Sequence, residues 1–122
     1  MRKLTSSNDP AEIGRITLDE AAALLASSSQ RSIAVFEHGT LQVKLYAPRG
    51  SDAQVPHARD EIYVVARGSG WFVNEDRRHR FAPHDVLFAR AGTVHRVEEF
   101  ADDFLVWVFF YGPEGGEDDP AR

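Results

Sequence analysis

His57, Glu61 and His95 are the residues whose types and spacing could do chemistry together. Two neutral imidazoles and one carboxylate are good ligands for zinc, iron, manganese, nickel or cobalt, and they leave coordination positions for water or substrate. His57 follows Pro56 and stands four residues before Glu61, while His95 comes just after Gly92-Thr93. Extended strand rises ~3.3 Å per residue, so four steps would separate the first two side chains by about 13 Å. They can share an ion only if Ala58-Arg59-Asp60 reverse the chain. On spacing alone, ordinary surface or structural histidines remain the competing reading. The chain has no cysteine, which excludes disulfides, thiol catalysis and zinc–thiolate sites.

Other polar residues have plainer readings. Tyr63 lies two positions from Glu61, so strand alternation points both side chains to one face, and Tyr63 becomes the candidate catalytic residue or pocket wall. Val97 shares the face of His95 by the same rule. His38 sits at a turn, His79 lies within the basic run Arg77-Arg78-His79-Arg80, and His84 belongs to a loop; all three read as surface histidines. Arg59 reads as a solvated turn arginine that could also hold an anionic substrate at the mouth of a pocket. Whether Tyr63, Lys44 or Trp107 lines a pocket depends on the fold. Arg67-Gly68-Ser69-Gly70 lacks the glycine spacing and following helix of a phosphate-binding loop and reads as a turn. No Gly-x-Ser-x-Gly occurs, so a serine-hydrolase elbow is absent.

The elements that must position these groups follow from periodicity. Thr17-Leu18-Asp19-Glu20 has the spacing of a capping box, and Ser27-Ser28-Ser29 favours helix termination, so one short helix is predicted over 18–26. From Ile33 onward the period changes to two. Leu41, Val43 and Leu45 alternate with Gln42, Lys44 and Tyr46, and His38-Gly39 marks a hairpin turn. Further strands are predicted around Glu61–Val65, Trp71–Val73, Val86–Phe88, Val94–Val97 and Phe104–Tyr111, with another short piece before His57. The total is eight or nine strands. Phe104, Val106 and Val108 form one apolar face of the last strand, and Leu105, Trp107 and Phe109 form the other. One face should fill a barrel and the other should meet a second sheet or subunit. The pattern suits an all-β barrel of two sheets rather than an α/β unit.

Composition bounds the rest. The 122 residues suit one domain, with 43% hydrophobic and 27% charged residues, as in ordinary globular chains. Net charge is −5, of which the acidic end contributes most, so no electrostatic reason exists to bind nucleic acid or an anionic membrane. The start of the chain has no apolar leader, so a cytoplasmic location is the expectation. The organisation expected is an N-terminal extension with the helix (1–30), a β-barrel (31–112) and a flexible acidic tail (113–122).

Two stretches carry a family resemblance. Gly50-x6-His57-x3-Glu61-x6-Gly68 resembles the first motif of the cupin superfamily, and His84-x5-Arg90-x-Gly92-x2-His95-x3-Glu99 is similar to the second. Pro83-x-Asp85-Val86-Leu87-Phe88 before Ala91-Gly92 adds to the likeness, which spans about 33–112. The family has His-x-His in its first motif; His57 takes the second place and Val55 the first. Glycine, proline and asparagine are usual where this chain has His84, Arg90 and Glu99. The resemblance implies a double-stranded β-helix of jelly-roll type, a homodimer, and a divalent ion (zinc, iron, manganese or nickel) held by His57, Glu61 and His95. It also implies a small-molecule ligand and an oxygenase- or isomerase-type reaction. A non-catalytic ligand-binding or sensor cupin with a degenerate metal site is the alternative, since Val55 stands where a ligand would be. A metal-free sugar-nucleotide isomerase using a histidine base is a third reading, though nothing marks a nucleotide-binding surface.

Overall fold

In the computed structural model, residues 14–52 and 56–118 are described. The helix α1 (Leu18–Ala26) has the predicted bounds. The Glu20 amide donates to the Thr17 hydroxyl at 3.0 Å, and the Thr17 amide donates to the Glu20 carboxylate at 2.8 Å. This reciprocal pair satisfies amides that a helix start leaves without carbonyl partners. No described helix is long and apolar enough to cross a membrane.

Eight strands follow among the described residues: β1 (Ser32–His38), β2 (Leu41–Tyr46), β3 (Asp60–Arg67), β4 (Gly70–Asn74), β5 (Arg77–Phe81), β6 (Val86–Ala89), β7 (His95–Glu98) and β8 (Leu105–Tyr111). They form two antiparallel sheets, one ordered β1-β2-β8-β3-β6 and the other β5-β4-β7. This is the two-sheet all-β barrel that the period-two pattern predicts, of the jelly-roll type that the family resemblance implies. The short strand expected before His57, and Val55 with it, fall outside the described residues. The basic run Arg77–Arg80 lies on β5, an edge strand of the smaller sheet.

Two apolar clusters hold the sheets. Between them pack Tyr63, Val65, Phe72, Phe81, Val97, Phe104, Val106 and Val108, all buried. On the outer face of the larger sheet, Ala21 and Leu25 of α1 cover Val43, Leu45 and Leu105, with Trp107 and Phe109 beside them. The second apolar face of β8 therefore meets the chain's own helix, where a second sheet or subunit was expected. Ala21 and Leu25 are one helical turn apart, so a two-turn helix presents both to the same strip of sheet.

Strand β2 alternates in an unusual sense. Its apolar residues, Val43 and Leu45, face outward into the helix cluster. Lys44 and Tyr46 face inward, lining a cavity with Val108 and Phe110 of β8. Turn positions also follow backbone demands. His84 and Glu99 have φ of 77° and 49°. These are the places where the resembled family has glycine and asparagine, the residues that adopt left-handed backbone most readily.

Candidate metal centre

Glu61 is the second residue of β3, paired across the sheet with Phe110 of β8 and Ala89 of β6. Its side chain points between the sheets and is 1% exposed. Taking a carboxylate out of water is costly unless hydrogen bonds or a cation replace the lost hydration. Neither Glu61 oxygen accepts a hydrogen bond among the described residues. Instead Oε1 faces two ring nitrogens, His95 Nε2 at 2.8 Å and His57 Nε2 at 3.8 Å.

The protonation of His95 follows from its other nitrogen. Nδ1 lies 2.9 Å from the Thr93 carbonyl oxygen, which can only accept, so Nδ1 carries a proton. In the neutral ring Nε2 is then a lone pair pointed at a carboxylate oxygen. Two acceptors at that distance repel unless a proton or a metal cation lies between them. Burial pushes the His95 imidazole pKa down, but Glu61 and the Thr93 carbonyl outweigh it, and the net shift is upward. The pair attracts positive charge, and either cation answers it.

Three elements bring these groups together. Glu61 comes from the larger sheet, and His95 opens β7 in the smaller one. His57 lies in the connection from β2 to β3, where the chain bends at Ala58-Arg59. That bend is the reversal the sequence required. The Gly92 amide donates to the His57 carbonyl at 2.8 Å, tying this loop to the one that precedes His95. The His57 ring stands edge-on to Phe110 at 5.0 Å between centroids. One ligand atom from each of His57, Glu61 and His95 lies within 4.8 Å of the others. A donor set of two imidazoles and one buried, undonated carboxylate fits a divalent ion.

Tyr63 shares the inward face with Glu61, as alternation predicts. It is 2% exposed, and its hydroxyl lies 2.9 Å from His95 Nε2, where it can donate to the ring's lone pair. Trp107 faces outward toward α1. His38, His79 and His84 are exposed, as expected. Arg59 is not a free turn arginine: its guanidinium donates to the Thr40 carbonyl and stands 6.0 Å from the Phe110 ring centroid.

Two aspartates that sequence reasoning passed over hold the surrounding loops. Asp52 Oδ2 accepts from the Val97 amide at 2.8 Å, and its Oδ1 accepts from the Tyr46 hydroxyl at 2.5 Å. Burial and then this contact push the Tyr46 phenol pKa well above its ordinary range, so it remains a donor. Asp60, 5% exposed, accepts from the amides of Ala91 and Glu117, each at 2.9 Å. Gly115 donates to the Ala58 carbonyl at 2.7 Å, so the segment after β8 folds back beside the His57 loop. The only sequence signal for either aspartate was its place in a polar segment flanking a ligand or a strand.

Comparison with known proteins gives the architecture its relatives. No protein-family model matches the chain. It is 30% identical over 99 residues to the uncharacterized protein SCO3923 of Streptomyces coelicolor, a match covering 80% of this chain and 94% of that one. A cupin-2 domain protein from Shewanella frigidimarina superposes with a TM-score of 0.59 at 17% identity, over 75% of this chain and 91% of that chain. KdgF from Halomonas sp. superposes with a TM-score of 0.58 at 24% identity, over 67% and 80% respectively.

Proposed function

The chain is a small cupin, in one family with the Streptomyces coelicolor protein, and from that premise we propose a metal-dependent enzyme acting on a small molecule. His57, Glu61 and His95 hold a divalent ion between the two sheets. The observation that carries this reading is Glu61: a carboxylate 1% exposed, without a hydrogen-bond donor, set 2.8 Å from the inward nitrogen of His95. When bound, the ion would act as a Lewis acid on a substrate oxygen.

The chain's own residues do the rest. The Thr93 carbonyl fixes the His95 tautomer with Nε2 inward, as an outer partner of a metal-bound imidazole does. Tyr63 is the proposed catalytic residue. With His95 Nε2 committed to the ion, its hydroxyl is released to donate a hydrogen bond to substrate. Phe110 and Phe72 wall the centre and keep bulk water from its inner side. His57, with its side chain 33% exposed, stands on the side from which substrate enters.

The test is metal analysis of the purified protein after zinc loading and desalting. About one equivalent is expected for the wild type, with loss of most of it in His57→Ala, Glu61→Gln and His95→Ala. Equal metal content in all four proteins would reject the ligand set.

A non-catalytic ligand-binding cupin is the second reading, and one observation favours it: a protonated His95 on Glu61 satisfies the same geometry without metal. Under that reading none of the four proteins retains zinc.

A further inference from the structure

The inner wall of the larger sheet carries a lysine where a filled barrel would carry an aliphatic residue. Register places Lys44 of β2 beside Val108 of β8, and Val108 beside Tyr63 of β3, all in one row. Neighbouring strands stand ~4.8 Å apart, so Lys44 lies roughly 10 Å across the sheet from Tyr63. Its side chain lines a cavity of about 70 Å³ together with Ser32, Tyr46, Val108 and Phe110. Phe110 is also the ring that packs on His57, so cavity and metal centre share a wall. A volume of that size holds a few waters, or the end of a small organic molecule.

The donors in this cavity can be counted. The Tyr46 hydroxyl is committed to Asp52. Among the described residues the Lys44 ammonium and the Ser32 hydroxyl have no side-chain hydrogen bond or ion pair. Lys44 is half-buried, and a half-buried ammonium with no ion-pair partner among the described residues is a place where an anion gains both charge and hydrogen bonding. The ion with Glu61 would carry about one net positive charge, so a second positive centre lies on the other side of Phe110 from the Lys44 ammonium.

We infer that Lys44 and Ser32 anchor the carboxylate of a small organic acid in the cavity that adjoins the His57–Glu61–His95 centre at Phe110. This rests on the metal reading above and names its substrate class: short hydroxy- or oxo-carboxylates, with neutral diols and amides excluded. The anchor is a single ammonium, so it selects for charge, and the cavity volume selects for length.

Calorimetric titration of the full chain with glycolate tests the inference, with neutral glycolamide as the control. In zinc-loaded protein, Lys44→Met is expected to weaken glycolate binding at least tenfold and to leave glycolamide unchanged. Lys44→Arg, which keeps the charge, is expected to restore most of the affinity. Equal glycolate affinity in wild type and Lys44→Met would overturn the anchor even if zinc is retained. So would tighter zinc binding in Lys44→Met with unaltered glycolate binding, since Lys44 would then only offset the charge of Glu61. The same titration in chelator-treated protein separates the two ideas. Weaker but Lys44-dependent glycolate binding there supports the anchor whether or not the centre takes metal.

Discussion

At the residue scale the decisive contact is an imidazole nitrogen set against a buried carboxylate oxygen. The raised pKa of His95 has a definite consequence for the metal-free protein. Below the ordinary imidazole value of about 6.5, the ring is protonated in both folded and unfolded chains, and its attraction to Glu61 is fully present. As pH rises through the raised folded value, that contribution is lost. Thermal melts of chelator-treated wild type and His95→Gln between about pH 5.5 and 8.5 should therefore converge toward the alkaline end. A gap that widens with pH would show that His95 folds neutral. Zinc reverses the sense, because a metal competes with the proton for Nε2 and binds better as pH rises.

The element scale explains why the ligands can sit on short strands and still be held. Glu61 and Tyr63 inherit their direction from β3, whose register with β8 runs from Asp60 to Arg67 with one irregularity after Val65. Just beyond that strand Gly68 has φ of 83°, and a Cβ there would stand 2.8 Å from the Phe104 backbone. The turn thus needs left-handed backbone and open space at one position, which explains why glycine stands there without any phosphate to cradle. Left-handed backbone alone costs an L-residue about 1–2 kcal/mol. Gly68→Ala should lower unfolding stability by at least that amount in denaturant titration, and a loss within about 0.5 kcal/mol of zero would contradict the close approach. Strand β2 is the complementary case. Its apolar side is occupied by α1, so its polar side is free to face the cavity, and Lys44 becomes available as an anchor.

At the scale of the whole molecule, the candidate centre bridges parts that otherwise meet through apolar packing and a few hydrogen bonds. Glu61 belongs to the five-stranded sheet, His95 to the three-stranded sheet and His57 to a loop between strands of the first. An ion held by all three clamps the barrel closed. Free zinc at a hundredfold excess over its dissociation constant should stabilise the fold by about 2.7 kcal/mol, which raises the Tm of a domain this size by roughly 10 °C. Chelator should reverse the shift, and Glu61→Gln should abolish it. A rise that persists in Glu61→Gln would place the zinc elsewhere. Asp52 makes a second tie across the same seam, from β2 to β7 through Tyr46 and Val97, and it works without metal.

Local chemistry wrote much of this protein into its sequence. The Thr17–Glu20 cap set the helix, period-two alternation placed the strands and put Tyr63 beside Glu61, and two motifs marked His57, Glu61 and His95. The cap and the alternation are legible because each depends on residues within a turn or a strand of one another, while the two motifs mark the three ligands only through the family resemblance. Tertiary structure decided the rest. Alternation says which residues share a face but not which face turns inward, so nothing in Leu41–Tyr46 could reveal that its lysine, not its leucines, lines the barrel. Nor could it show that α1 covers the outer side of β8, or that Asp52 and Asp60 hold loops distant in sequence. Those choices depend on which surfaces remain unburied once both sheets have closed, and only the packed chain settles that.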